Sequence, residues 1–404
     1  MDKLVLKDLL AASRAGGASS LAMTTEMSPA AGAHAGVAPA KYVSGENPTY
    51  LFQTRFVDGE PQRTVLLDSK GSSLNRVEEQ IVNAIKDGEQ PLARTPRIVV
   101  HYPDADLMCL ELPHRAFDGH ARAGTIAGKA ATSDDRYRQL RDASPANARA
   151  LLETSPQSLV FGAWDSTRKS NQGRYRSALV GEVIGVLAEQ GPDADTAPKS
   201  GGARSDSYSP SVQLSAEEME SLLAAQEDEL SAGLVAKIRK EISKEAKNRD
   251  GKPISGSGLV LGSIPPTLNG LGVVACRRII RTHLLSFSTL RALRFGAGAD
   301  GDVACRALLA AYALAGVARV MADPRLRANC DLIEKAAPVF ALDARYGEIR
   351  QIAPLTVSDA DGLLSEAIDR AQSEAGIQWA GQILDIEGNP LIAQAKSDED
   401  QEKA

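Results

Sequence analysis

Aromatic residues make up only 4% of this 404-residue chain, and the run of Gly and aromatic residues that marks an RRM sheet is missing. A nucleic acid bound here would be held by its backbone and read by shape more than by base identity. Cysteine is scarce too: Cys109, Cys276, Cys305 and Cys330 lie far apart. That spacing excludes a disulfide framework or zinc knuckle and predicts buried free thiols in a reducing compartment, hence a cytoplasmic location. No stretch approaches the roughly 18 apolar residues of a membrane span, and a lysine interrupts the apolar run in LVLKDLLAA, so neither a membrane contact nor a secretory leader is expected. A basic excess is also absent, with 46 Lys and Arg against 52 Asp and Glu, which argues against a uniformly basic coat. Any polyanion site is therefore local.

Catalytic signatures are equally thin. Gly128-Lys129 and Gly251-Lys252 are followed by Ala and Pro rather than the Ser or Thr of a Walker loop, and HExxH, GxSxG and CxxC pairs do not occur. No cofactor is expected. His114 and His120, with Asp118 between them, are the residues for general acid and base work on a phosphodiester. Their i, i+6 spacing, however, puts them on different faces of a helix, and no third metal ligand is near.

The 43% apolar content supports a large core and a two-domain chain or one domain with big insertions. Residues 1–48 read as a loop-rich segment with a helical hint at Leu4–Ala12. YLFQTRFV and QRTVLLD around DGEP predict a hairpin. SSLNRVEEQIVNAIK then places Leu74, Val77, Ile81 and Ile85 on one helix face, with Asn75 and Glu78 spaced for a capping box. RIVVHY and DLMCLEL predict a second strand pair, Asn147–Leu152 a short helix, and SLVFGAW and ALVGEVIGVLA two strands, the second of which also suits a helix. Residues 191–211 read as a linker and Leu214–Arg249 as a helical segment, acidic at its start and basic at its end, matched to the helix macrodipole: a solvated helical insertion or hairpin, or else a basic end that touches nucleic acid. CRRIIRTHLLS predicts a strand, STLRALRF a helix, VACRALLAAYALAGVARVMA a core helix, and KSDEDQEKA a disordered end. The division expected is 1–48 loop-rich, 49–190 the first part of the main domain, 191–250 linker and helical insertion, 251–390 its second part, and 391–404 a tail.

Charge is distributed unevenly along this frame. Residues 251–299 contain no Asp or Glu, and the loop FGAWDSTRKSNQGRYRSA at 161–178 carries Arg168, Lys169, Arg174 and Arg176. With Arg115, Arg122, Arg277, Arg278 and Arg281, these guanidinium forks sit in or beside loops and strand ends where they reach phosphates, or else serve as surface charges and salt-bridge partners. Trp164 is placed either to stack on a base or to close the core at a strand end. The Gly-rich run around Gly256 and Gly258 suits backbone contact with phosphate or an ordinary loop.

The series APAKY (Ala38–Tyr42), VLLDSKGSSLNRVEE (Val65–Glu79), PHRAFD (Pro113–Asp118), SLVFGAWDSTR (Ser158–Arg168), LGSIPPTLNGLGVV (Leu261–Val274) and LSFSTLRALRFG (Leu285–Gly296) resembles the CRISPR-associated RAMP superfamily. More narrowly it is similar to the Csb-family backbone subunit, of the Cas-seven type, in the type I-G (formerly I-U) Cascade complex. The likeness runs from about residue 35 to 340. It implies an α+β fold, a modified RRM (ferredoxin-like) palm with a β-hairpin thumb and helical insertions. It also implies a non-catalytic subunit that polymerises with copies of itself along a CRISPR RNA and presents the spacer to a target DNA strand. The further partners implied are a guide-processing fusion subunit, a large subunit and a recruited helicase-nuclease. By family position RNA contact falls on Lys41, Asn75 and Arg76, then on the Arg115 region and the Trp164–Arg176 loop, and more loosely on Ser257. The competing expectation is a RAMP endoribonuclease working through His114 and His120, or through Asp118 or Asp165 with a metal.

Overall fold

The computed structural model describes residues 1–45, 47–169, 172–191, 196–202, 212–245, 252–262 and 267–393. These form two units, one of residues 1–197 with 273–393 and one built on residues 198–272.

The larger unit is mixed α+β and is organised by six elements. Strand β1 (Ser20–Pro29) buries every second residue, Leu21, Met23, Thr25 and Met27 among them, as a strand with one face on the core must. Helix α1 (Lys70–Lys86) lays Leu74, Val77, Ile81 and Ile85 into the interior. Strands β2 (Leu179–Leu187) and β3 (Cys276–Ser286) follow, then helix α2 (Gly298–Ala322) and strand β4 (Val339–Arg345). The sheet order is β4-β1-β3-β2 with every pairing antiparallel, which is the strand order of a ferredoxin-like βαββαβ unit. Glu348–Ile352 extends the sheet beyond β4, and the hairpin Phe52–Val57/Glu60–Asp68 extends it beyond β2. That hairpin turns through Asp58 (φ 54°) and Gly59 (φ 84°), two successive left-handed residues that match the twist of the paired strands.

Insertions occupy the connections. Between β1 and α1 lies the Lys41–Ser44/Asn47–Tyr50 hairpin. Between α1 and β2, Arg97–His101 and Asp106–Met108 start a second, five-stranded sheet, completed by Thr125–Ile126, Lys129–Ala130 and, from the far end of the chain, Ile383–Glu387. Between β2 and β3 the chain forms the second unit.

Helix α2 is the axis of the core. It is long and apolar enough to cross a membrane, against the expectation that no such stretch exists. That whole stretch is buried within the protein, and it packs against α1 and the helix Val357–Ala375. At Gly316 a Cβ would come within 2.6 Å of Val77 Cγ1 and 2.8 Å of Ile81 Cδ1, so only glycine permits this approach to α1. The buried cations of α2 are matched: Arg319 donates to Asp361 and Glu89, and Arg306 donates to the Leu293 carbonyl.

Several local expectations are corrected. Residues 1–48 are not loop-rich, since they supply helix Leu6–Ser13 and the central strand β1. Helix α1 begins at Lys70 under a Ser69 cap, whose Oγ accepts from the Ser72 N–H. Asn75 and Glu78 are therefore interior helix positions and form no capping box. SLVFGAW is not a strand: Gln157–Val160 form a helical turn and only Ala163–Trp164 are extended. STLRALRF contributes one turn, Phe287–Leu290, and residues 199–202 of the linker pair with Thr267–Leu271.

In the second unit, the helical segment 214–249 takes the hairpin form. Ala216–Ala224 and Ala232–Glu245 are separate, and they pack Met219, Leu223, Val235, Ile238 and Ile242 together. The acid-then-base order serves pairing across the two helices, with Arg239 donating to Glu227 at 2.6 Å and to Glu220 at 3.3 Å. Residues 246–249 and 394–404 lie outside the described residues.

Candidate nucleic-acid interface

The basic loop at 161–178 is closed at its base by a two-residue ladder, Ala163 opposite Tyr175 and Trp164 opposite Arg174. Alternation decides which side chains face out. Ala163, Asp165, Gly173 and Tyr175 are buried, and Trp164, Arg174 and Arg176 are exposed. Tyr175 stacks on Phe117, centroids 6.2 Å apart, and Gly173 lies so close to Phe117 that a Cβ would sit 2.9 Å from it. The inner face thus fixes the ladder to the PHRAFD segment. On the outer face the Arg174 guanidinium sits 5.1 Å from the centroid of Trp164, which remains 52% exposed. Trp164 is therefore an open aromatic surface; the core tryptophan is Trp379, whose indole N–H donates to the Leu152 carbonyl.

Beside this pair a shallow pocket of about 360 Å³ is lined by Arg174, Arg176, Ser288 and Thr289 over a floor including Leu159 and Leu293. Ser286 links both hydroxyls, to Ser288 at 3.0 Å and Thr289 at 3.0 Å. Among the described residues no carboxylate lines it. Two guanidinium groups, two hydroxyls and an exposed indole are the chemistry of phosphate and base contact on a single strand.

Toward the loop tip the cations are tied down. Arg168 donates to the Arg141 carbonyl at 3.0 Å and pairs with Asp142, and Arg122 donates to Thr167 at 2.6 Å with Asp165 at 3.6 Å. Lys169 is exposed.

Arg115 is a fastener. Its Nε and Nη2 donate to the two oxygens of Glu78 at 2.5 and 2.6 Å, and its Nη1 donates to the Gly162 carbonyl at 2.8 Å. Burial pushes the Glu78 carboxyl above its usual range, and Arg115 works against that rise. Arg115 holds this position with φ at +52°. One guanidinium thereby ties α1, the PHRAFD segment and the start of the basic loop together. The cleft of about 760 Å³ that Asn75 and Arg115 share also holds Glu78, Glu79 and Glu111, with Lys70 the other cation, so it is not a basic groove.

The remaining expected contacts are scattered. Lys41 is exposed at the start of its hairpin. Arg76 and Arg327 both converge on buried Asp68, Arg76 Nε at 3.3 Å and Arg327 Nη2 at 3.1 Å. On β3, Arg277 donates to Gln62, Arg278 pairs with Asp58 at 2.6 Å and Glu26 at 3.3 Å, and Arg281 is buried against Thr25 and Glu334. Arg281 points into the protein because strand alternation puts it on the helix-covered face, which corrects its assignment to a phosphate-facing set. In the second unit Ser257 is exposed on the turn Gly256–Leu259, its Oγ 2.9 Å from that of Ser255.

His114 and His120 flank a turn that is organised by Asp118. Asp118 accepts from the backbone N–H groups of His114 (3.1 Å) and His120 (3.0 Å), so it shapes the turn rather than orienting an imidazole. His120 Nδ1 meets the Tyr102 hydroxyl at 2.8 Å. Among the described residues no group of His, Cys, Asp and Glu is arranged to hold a metal. Two features went unread in the sequence: His101, set between Asp106 (2.7 Å) and Asp385 (2.9 Å), and the Ser286/Ser288/Thr289 hydroxyl cluster within LSFSTL. The second carried a signal, three hydroxyls in four positions within acid-free sequence.

A comparison with curated proteins gives no match. Residues 21–190 match the family model described as CRISPR-associated protein GSU0053, a span that includes β1, α1, the Glu78–Arg115 tie, the Trp164–Arg174 ladder and β2. The match covers fewer than half of the 404 residues, and over that span the chain is similar to a CRISPR-associated family.

Proposed function

We propose that the protein is a non-catalytic CRISPR RNA-binding backbone subunit of a type I Cascade effector, acting in the cytoplasm in antiviral defence. The observation that carries this is the exposed Trp164–Arg174 pair, which lies within the span matching a CRISPR-associated family and opens onto the Arg176/Ser288/Thr289 pocket. Trp164 stacks on a base while Arg174 and Arg176 hold adjacent phosphates, an arrangement indifferent to sequence. Such indifference suits a subunit whose guide reads the target by pairing. Copies of the chain line up along the spacer and present it to a target DNA strand, alongside a guide-processing fusion subunit, a large subunit and a recruited helicase-nuclease. The acidic cleft and the negative net charge are compatible with this, because the contact is confined to one loop and one pocket.

The test is to co-express the protein with its partner subunits and a CRISPR array, purify the assembly and size the extracted nucleic acid. A discrete RNA of guide length is expected. An assembly that forms without RNA, or wild-type protein that cleaves the RNA, overturns the reading.

A further inference from the structure

Ser286 ends β3 and caps the helical turn Phe287–Leu290, accepting from the Thr289 backbone N–H at 3.2 Å and from the Thr289 hydroxyl at 3.0 Å. Its Oγ also lies 3.0 Å from that of Ser288. Ser286 is itself fixed by the backbone, because its N–H donates to the Ala178 carbonyl at 2.7 Å and it stands opposite Ser20 across the sheet. The cluster is therefore ordered before any ligand arrives. Ser288 is exposed and Thr289 half-buried, and both line the pocket that Arg174 and Arg176 share.

The hydrogens decide what these oxygens can receive. Each hydroxyl has one hydrogen and two lone pairs. Thr289 gives its hydrogen to Ser286, so its Oγ1 can only accept. Whichever way the hydrogen runs between Ser286 and Ser288, Ser288 Oγ keeps at least one lone pair too. Both oxygens thus call for a donor. A phosphodiester suits the two guanidinium groups, but it has no hydrogen to give the hydroxyls. Along a nucleic-acid backbone that hydrogen is carried by the ribose 2′-hydroxyl. The floor of Leu159 and Leu293 suits the carbon face of a sugar.

We propose that Ser288 and Thr289 are the specificity residues of this pocket: their hydroxyl oxygens accept from a ribose 2′-hydroxyl, so the pocket selects RNA over DNA. This rests on the RNA-binding reading above and adds to it the group by which the strand is chosen. Water satisfies the two oxygens in the free protein. A deoxy strand displaces that water without replacing its hydrogen bonds, a loss worth about tenfold in affinity.

The experiment is fluorescence anisotropy of the full chain, at one salt concentration, with single strands of one sequence built from A and C: RNA, DNA, and RNA carrying 2′-fluoro in place of every 2′-hydroxyl. The fluoro strand keeps the sugar pucker of RNA but has no hydrogen to donate at the 2′ position, and this readout needs no variant to fold. RNA is expected to bind about tenfold tighter than DNA, and the fluoro strand to bind like DNA. Ser288→Ala/Thr289→Val is expected to bring the RNA-to-DNA affinity ratio close to one. Fluoro RNA that binds as tightly as RNA, equal wild-type affinity for RNA and DNA, or an undiminished ratio in the double variant each overturns the proposal and leaves RNA binding standing. Failure of all the strands to bind removes the RNA-binding reading itself, and this inference with it.

Discussion

Arg115 and Glu78 meet in a bidentate pair, 2.5 and 2.6 Å, between the PHRAFD turn and the buried face of α1. Two motifs that stand 37 residues apart in the sequence are thus one structural joint. Arg115→Met leaves a buried carboxylate unpaired and is expected to cost about 3–5 kcal/mol in chemical denaturation. The double variant Arg115→Met/Glu78→Leu should cost clearly less. The single variant also carries a pH signature. Burial raises the Glu78 carboxyl above its ordinary value, and without Arg115 it rises further, so the folded state holds a proton that the unfolded state releases. Its stability should therefore increase as pH falls from 7 toward 5. A flat profile would mean that Glu78 finds another partner.

Trp164→Ala is expected to weaken binding of single-stranded RNA by about 1–3 kcal/mol, the worth of one lost base stack. Arg174→Ala and Arg176→Ala should each reduce the log–log salt slope by about 0.7, one phosphate contact apiece. Filter binding or anisotropy across a salt series on the assembled protein separates the two effects. Equal affinity for all three variants and wild type would remove the loop from the interface.

His101 should make the second sheet pH-sensitive. Hydrogen bonds first to Asp385 and then to Asp106 hold its imidazole above the usual value. A raised histidine contributes stability that is fully present below the unfolded value near 6.5 and is lost as pH rises through the folded one. Amide exchange in Arg97–His101 and Ile383–Glu387 should speed up across that window, beyond the intrinsic pH dependence of exchange. His101→Asn should show no such step, and an unchanged step in that variant would place the titrating group elsewhere.

The four thiols should be inert in the folded protein. Burial pushes Cys276 and Cys305 up to about 12 and Cys330 up to about 11, and Cys109 is raised further still. At pH 8 the thiolate fraction is then about a thousandth or less, against roughly a quarter for an unperturbed cysteine. Titration with a chromogenic disulfide should react at least about a hundredfold more slowly in buffer than in guanidinium chloride. A fast-reacting thiol in the native protein would contradict the packing around it.

The elements whose period matches their burial were readable in advance. CRRIIRTHLLS reads as a strand and is β3, SSLNRVEEQIVNAIK reads as a helix with the right buried face, and DGEP marks the hairpin turn. What failed did so for local reasons. LAMTTEMS carries the alternation of β1, but its apolar positions are Leu and Met with Thr at the third, a weak pattern beside the small residues that surround it. SLVFGAW has strand composition, yet it folds as a helical turn after Pro156, with Leu159, Val160 and Phe161 packed in the core. Within the candidate interface, an Arg-rich stretch said where charge accumulates but not which guanidinium groups are spent. Only the positions of Glu78, Asp68 and Glu334 separate Arg115, Arg76 and Arg281 from Arg174 and Arg176. Alternation on the two-residue ladder then sets Trp164 outward.

The place of β1 at the centre of the sheet governs how the chain must be made. One edge pairs with β3, which starts at residue 276, and the other with Leu332–Glu334 and with β4, which starts at residue 339. At ~5–20 residues per second, β1 emerges from the ribosome roughly 12–50 s before its first partner does. Throughout that interval Leu21, Met23 and Met27 belong to a strand with two open edges, the state most exposed to mispairing between nascent chains. The segment that becomes the central strand is thus the one that waits longest for its partners while the rest of the sheet is still being translated.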